Sequence, residues 1–593
     1  MSFLAPFISR IKKIDAALLA GLITFALFSL PLLQGLRFIG VDATLQDIPY
    51  ICEMKRLFIA RQAFWLSPRL GNGLPLFADL QSQTLYPIRW LFFLLAPVFQ
   101  KSMEVLIHLS IAAFAMSLLL KKYGVRRGLS ILGGISFVLS GTVLDLVDHG
   151  PYLIAAAWLP LGWAMSREIV GNPKWRRRDF IFLLVCFLFL LLGGEPQSFA
   201  ILFVIVMLEC FLSAKNRAGS LLVFFGAAIL AVGISAPLLL AASGELSLST
   251  RFTEIYSDTI LQWSMDFPSA LATIWPGVLH EATQQGINFW QTWSSEAVGS
   301  TAMPWNWNPY LGLPIIACAL SIIFQRRLRV PALVLLIALV FSLGSNLIGM
   351  NQLVRLLPIL GSFRYPMKYF FSLSVAVWIL AFCALEEVYA GLKKNRAILY
   401  TFIALLVSQL LALFWVHWQA DLIDAQAFLL RKQQFSNLDL PLMSWMLSLA
   451  ITHAIGIALL CLGCLYLRVY RGYRVEKCVP WLILLDLGLA AYGGISLDYN
   501  FLSRPSALSL SLHAVPGAAP VLCHNYDVAN MNVQFKRLTS AGLTTVDSSD
   551  LMWKYVDIPN LNACDDISAG VQYSMLEQPP NYLQCQEMAD YHN

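Results

Sequence analysis

Charge is what this sequence has least of. Only 13% of its 593 residues are Asp, Glu, Lys or Arg, against 58% apolar residues and a mean hydropathy of +0.66. Soluble domains carry roughly 25% charged residues, so this chain is too poor in charge to cover a water-facing surface of its size. That excludes the series of soluble domains its length alone would allow, and it excludes intrinsic disorder. Eleven cysteines are too few for a disulfide scaffold. No Gly-x-x-x-x-Gly-Lys phosphate loop occurs, so nucleotide chemistry of that kind is not expected. The net charge of +6 is spread in short groups between apolar runs, which argues against a nucleic-acid surface. What remains is an all-α polytopic membrane bundle.

Apolar runs lie near residues 14–34, 103–120, 128–146, 151–166, 180–194, 198–213, 219–242, 309–324, 330–347, 368–388, 398–416, 441–467 and 479–497, giving about thirteen candidate transmembrane helices. Arg10, Lys12 and Lys13 precede the first run with no small-residue cleavage site, so that run is expected to be a retained span. The stretch from Trp90 to Phe99, broken by Pro97, reads as re-entrant or interfacial. With the N-terminus cytoplasmic, every second linker is basic. Those linkers hold Lys121, Lys122, Arg126 and Arg127; Arg167, Lys174 and Arg176–Arg178; Lys215 and Arg217; Arg326, Arg327 and Arg329; Lys393, Lys394 and Arg396; and Arg468, Arg471, Arg474 and Lys477. More than half of the 41 basic residues thus fall on one side, while of the 35 acids only Asp15, Glu168, Asp179, Glu209, Glu386, Glu387 and Glu476 do. Lys and Arg bias, which sets orientation, therefore places the C-terminus outside.

Three outer segments are long: 35–102, 243–308 and the polar tail from Leu497 to Asn593. The organisation expected is a membrane domain over 1–498 and a small external region over 499–593. Cys52, Cys523, Cys564 and Cys585 are external on this map, where disulfides persist. Cys461 and Cys464 lie in a span with no second pair, so a metal or redox site there is not expected.

Chemistry is expected on the outer segments. Asp42 follows a helix exit at the membrane surface, where a carboxylate can act as base for an acceptor hydroxyl or bind a divalent cation, magnesium or manganese, that bridges to phosphate. The competing reading makes it an N-cap of a helix from Ala43. Asp47, five residues on, would lie on another face of an α-helix. Asp145 and His149, four apart with Asp148 between them, would share a helix face. Gly193-Gly194-Glu195-Pro196-Gln197 demands a sharp break that leaves an ionisable group at membrane depth. Arg364 and Lys368 are two cations at the boundary of a span, either snorkelling or holding a phosphate.

Asp42-x-x-x-Gln46-x-x-Pro49, Gly71-x-Gly73-x-Pro75, Gln81-Ser82 with Tyr86-Pro87, Gly193-Gly194-x-Pro196-Gln197 and Arg364-x-Pro366 occur in that order over about residues 35–500. Together they resemble the YfhO-like family of bacterial polytopic membrane proteins, itself similar to the GT-C class of glycosyltransferases. The resemblance implies a GT-C-like bundle in a bacterial cytoplasmic membrane that moves a sugar from a polyprenyl-phosphate carrier to an external glycan or glycopolymer of the cell envelope. It implies Asp42 as the catalytic carboxylate and a site lined by the external loops and the 193–197 break; together with the residue reading above, the substrate contacts expected are Gln46, Gln81, Tyr86, Asp148, His149, Glu195, Gln197, Arg364 and Lys368. Two departures stand out: Glu195 where the family commonly has His, and a shorter external region. A lipid or glycolipid transporter or flippase, and an envelope-assembly scaffold without chemistry, are the alternatives. The breaks at 193–196 and 344–346 do not recur at the constant interval that inverted repeats would give.

Overall fold

The computed structural model describes residues 14–38, 42–67, 70, 74–172, 177–248, 261, 263–276, 308–356, 363, 365–390, 396–425, 443–471, 475–491 and 497–499. Its helices are α1 (Ala16–Leu33), α2 (Ile48–Ile59), α3 (Pro87–Leu91), α4 (Pro97–Lys122), α5 (Arg127–Val138), α6 (Gly141–Asp145), α7 (Gly150–Gly171), α8 (Arg177–Leu192), α9 (Pro196–Ser213) and α10 (Arg217–Leu248). They continue with α11 (Phe267–Ala272), α12 (Leu313–Ile322), α13 (Arg329–Leu343), α14 (Met350–Leu356), α15 (Tyr369–Tyr389), α16 (Arg396–Trp418), α17 (Met443–Arg471) and α18 (Val479–Ala491). Strands β1 (Leu36–Phe38) and β2 (Leu497–Tyr499) pair antiparallel, Arg37 opposite Asp498, and so tie the exit of α1 to the chain beyond α18.

Each of the apolar runs overlaps a helix, though the run 128–146 is split between α5 and α6 and the run 479–497 outlasts α18. Eight helices among the described residues are long and apolar enough to cross a membrane, and shorter apolar helices include α5, α12 and α18. The protein is a multi-pass, all-helical membrane bundle. Proline sets several helix starts: Pro97, Pro151 and Pro196 stand in the first turns of α4, α7 and α9, where the missing N–H costs nothing. The long helix therefore begins at Pro97, and the stretch before it holds only the short α3 and a turn.

α4 and α15 form the centre. Their most apolar windows are 72% and 89% buried, against 22% for α16. α4 packs along α1, α5 and α7, and α15 along α12 and α13. Leu222, Ile229 and Leu240 on α10 and Leu411 and Phe414 on α16 stay exposed, as lipid-facing side chains do.

The basic linkers meet at one end of the bundle. Lys121 pairs with Asp15 at 2.5 Å, Lys122 with Glu168, Arg126 with Glu386 at 2.7 Å and Arg327 with Glu387 at 2.6 Å. These contacts join the start of α1, the ends of α4, α7 and α15, and the starts of α5 and α13. Basic linkers far apart in sequence thus meet at one end of the bundle.

Candidate functional site

At the other end of α7, the first outer segment folds against the turn before that helix. Ala43–Asp47 is one π-helical turn leading into α2. The α-helical rotation expected between Asp42 and Asp47 is corrected by this: i→i+5 bonding brings residues five apart over one another. Both then face the 148–150 segment. His149 Nδ1 donates to Asp42 Oδ2 at 2.6 Å, and the Asp47 carboxylate packs on Gly150, where a Cβ would lie 2.3 Å from Asp47 Oδ2. Any side chain at 150 would push the two segments apart.

The capping reading of Asp42 also changes. Its side chain makes no cap bond; Asp148 Oδ1 accepts the Ala43 N–H at 3.1 Å in its place. A residue 105 positions away performs the local task and leaves Asp42 to the imidazole. A second correction concerns Asp145 and His149. α6 ends at Asp145 and α7 begins at Gly150, so the two do not share a helix face; the Gly150-Pro151 start of α7 makes His149 a cap position.

Burial pulls the His149 imidazole down, but the Asp42 carboxylate beside it, their hydrogen bond, and Asp148 and Asp145 together raise it to about 9. At neutral pH the pair is therefore imidazolium and carboxylate. Asp148 is pushed up by burial and by the charge of Asp42, with His149 opposing. The Asp42 and His149 side chains keep 28% and 13% of their surface exposed, so the pair lies at an edge that solvent reaches.

The Gly193–Gln197 break is as expected. α8 stops at Leu192 and α9 starts at Pro196. Gly194 has φ +86°, and a Cβ there would meet the Leu80 carbonyl oxygen at 2.5 Å, so the break is seated on the outer segment. Glu195 accepts from Ser198 Oγ at 2.6 Å and lies within electrostatic reach of Lys368. Lys368 Nζ donates to the Tyr152 hydroxyl and sits over the Tyr152 and Tyr365 rings, 4.2 and 4.8 Å from their centroids. Glu195, Gln197, Tyr152 and Lys368 line one narrow cavity with Leu146, Ile201 and Phe371. Within it Gln197 Nε2 is buried and has no hydrogen-bond partner among the described residues.

Two clusters thus adjoin through the 146–152 segment: Asp42, Asp148 and His149 at the edge, and Glu195, Gln197 and Lys368 in the cavity. Gln46, Gln81 and Tyr86 are placed differently. Gln46 Nε2 donates to Gln81 Oε1 at 2.5 Å, and the Tyr86 hydroxyl meets His108 Nε2 at 2.6 Å and accepts from Trp158 Nε1 at 2.8 Å. All three are buried, and these contacts build the outer segment. Arg364, Gly71 and Gly73 lie outside the described residues, as do Cys523, Cys564 and Cys585. Cys52 is disulfide-bonded, as an external position allows. Tyr152 and Ser198 escaped sequence reasoning; their only signal was position, one residue after Pro151 and two after Pro196.

The loop carboxylates suggest a divalent cation, which the residues do not fit. Among the described residues no three His, Cys, Asp or Glu side chains converge to hold a metal, and the His149 imidazolium stands where a cation beside Asp42 would.

No protein-family model and no curated protein matches the chain. Among solved structures it is similar to ArnT from Cupriavidus metallidurans bound to undecaprenyl phosphate, at 10% identity and TM-score 0.44, covering 93% of this chain and 88% of that one. The apo state of ArnT gives 12% identity and TM-score 0.45 over 94% and 85% of the two chains. The arabinofuranosyltransferase AftD from Mycobacteria gives 14% identity and TM-score 0.36 over 65% of this chain and 28% of that one. At TM-scores under 0.5 these likenesses assign nothing to the residues of this chain.

Proposed function

We propose that this protein is a YfhO-like membrane glycosyltransferase of the GT-C class, moving a sugar from a polyprenyl-phosphate carrier to an acceptor on the outer face of a bacterial cytoplasmic membrane, with its N-terminus inside and C-terminus outside. The observation that carries the reading is the Asp42–His149 pair at a solvent-reached edge, beside a small, mainly apolar cavity into which Glu195, Gln197 and Lys368 also project.

The roles follow from the chemistry. Asp42 takes the proton of the attacking acceptor hydroxyl. The imidazolium fixes the orientation of that carboxylate. Lys368, held between two tyrosines, supplies positive charge for the phosphate that leaves with the lipid, and the Gln197 amide offers a donor. Leu146, Ile201 and Phe371 suit the first isoprene units.

The test is turnover of a panel of radiolabelled polyprenyl-phosphate sugars by the purified protein in nanodiscs. The parent should release polyprenyl phosphate from at least one donor. Asp42→Asn should bind that donor unchanged and transfer about 10²–10⁴-fold more slowly, as loss of a general base does. Equal transfer by parent and variant would return Asp42 to a structural part, and no turnover of any donor would overturn the enzyme assignment.

A further inference from the structure

The end of the bundle remote from Asp42 holds a second cavity, of about 270 Å³. Because α7 has 22 residues, roughly 33 Å separate its two ends at 1.5 Å per residue. The cavity lies among the last turn of α7, the end of α9 and the start of α13, and Arg167, Ser213, Arg326, Arg327, Arg329 and Val330 contribute to its wall. Four guanidinium groups on one small cavity repel each other unless anions intervene.

The carboxylates at this end balance only two of them. Glu209, fully buried, accepts from Arg167 at 3.0 Å, and Glu387 accepts from Arg327 at 2.6 Å. Arg329 Nη2 donates to the Leu212 carbonyl at 3.1 Å, a neutral partner that fixes the side chain across the gap between α13 and α9. Arg326 has no ion pair among the described residues. The nearby acids Glu386 and Glu168 are engaged by Arg126 and Lys122. Two positive charges therefore stand uncompensated at the cavity.

The backbone adds to this. α13 is a 15-residue helix with no side-chain cap, entered through a 3-10 turn at Arg326–Leu328 and with Pro331 as its third residue, so it offers few free N–H groups but sets the positive end of its dipole beside Arg329 and Val330. The guanidinium forks match the oxygens of a phosphate, and the helix dipole favours the same charge. The surroundings are apolar: Phe324, two residues before Arg326, is 97% exposed, and Phe211, two before Ser213, is 53% exposed. The chain beside the cavity thus faces lipid.

The geometry points to a binding site for a phosphate-bearing anion at this end of the bundle, one that takes the headgroup of an anionic phospholipid. Arg326 and Arg329 hold the phosphate oxygens, Arg167 and Arg327 are fixed walls, and the exposed phenylalanines lie along the acyl chains. On the proposed topology this is the cytoplasmic leaflet. The site is independent of the transfer reaction, and none of its residues belongs to the Asp42 machinery.

The experiment is native mass spectrometry of the full chain released from nanodiscs of phosphatidylcholine with phosphatidylglycerol. The parent should retain phosphatidylglycerol. Arg326→Gln with Arg329→Gln should weaken retention about thirtyfold, from about 1 kcal/mol per basic residue near a membrane surface, and the corresponding Lys pair should retain an intermediate amount. Lys477→Gln, at the same end but outside the cavity, should change nothing. A second arm titrates inorganic phosphate into detergent-solubilised protein. Millimolar binding there, abolished by the double Gln variant, supports the phosphate site with a free anion as its source. Unchanged phosphatidylglycerol retention in the double Gln variant, or an equal loss in Lys477→Gln, would overturn the proposal.

Discussion

The charge on His149 is the most direct handle on the site. Its raised value, about 9 against an ordinary 6.5, exists in spite of burial, so removing the main counter-charge should reverse it. Asp42→Asn keeps size and a hydrogen-bonding oxygen but takes away the carboxylate. The imidazole should then fall to 6.5 or below, because burial persists and only Asp148 and Asp145 still oppose it. A shift of that size corresponds to about 3 kcal/mol of differential interaction. The sign is fixed by linkage: the folded value lies above the unfolded one, so the pair stabilises the fold fully below pH 6.5, and the contribution fades until it is lost above about pH 9. The assay is carbethoxylation by diethyl pyrocarbonate, which modifies only neutral imidazole, followed by mass spectrometry of the His149 peptide across pH 5–10. The parent should show a midpoint near 9 and the variant one at or below 6.5, and the parent's thermal midpoint should decline between pH 7 and 9 where the variant's stays level. An unchanged midpoint near 9 in the variant would refute the assignment of Asp42 as the group that holds this charge.

Transfer by the parent, if it needs the imidazolium, should fall as pH rises through about 9, read from donor turnover across that range. Gly194→Ala forces a side chain into φ +86° and against the Leu80 carbonyl, so it should cost more than about 1 kcal/mol, seen as a lower thermal midpoint. Lys368→Met should raise KM for the lipid donor more than it lowers kcat, since the cation serves phosphate binding; the reverse split, measured in nanodiscs, would place Lys368 in the chemical step.

The bundle was legible because its signals are compositional. Lys121 and Arg126 stand in one basic linker and Arg327 in another, and the structure brings them to one end through Asp15, Glu386 and Glu387. The break at Gly194 was equally readable, since Gly-Gly before Pro leaves the backbone few other choices. The π turn at 43–47 was not. Whether a backbone bonds i→i+4 or i→i+5 depends on what holds its ends, and here those holders, Asp148 and Gly150, are about a hundred residues away. The same distance hid the partner of Asp42: local pattern offered a cap, and a remote carboxylate had already filled it. Gln46 and Gln81 were named through motif resemblance, and a motif does not tell that the two side chains, 35 residues apart, bond each other. The tail beyond Tyr499 lies outside the described residues, while the expected boundary between 498 and 499 falls within β2.

What holds the π turn in place is a buried charge network beneath it, and this yields the last prediction. Asp47 pairs with Lys101 and lies 3.7 Å from Arg89; Arg89 also meets Glu104 at 3.2 Å and donates to the Ser82 carbonyl at 2.8 Å. All four side chains are under 10% exposed, so two cations balance two anions out of contact with water. Such a network adds little net stability when complete, but removing one partner strands a charge and costs about 3–5 kcal/mol. Lys101→Met should therefore destabilise by that amount and let Asp47 move off Gly150, which also loosens the Asp42–His149 contact one residue away. Adding Asp47→Asn removes the stranded charge and should recover most of the lost stability, a coupling of at least about 1 kcal/mol in a double-mutant cycle. Recovered stability with transfer still impaired is the expected pair of results, because the neutral amide relieves the charge but no longer anchors the turn to α4. Additive costs in the cycle would mean that Asp47 and Lys101 do not act as a unit, and the placement of Asp42 would then rest on Asp148 and Gly150 alone.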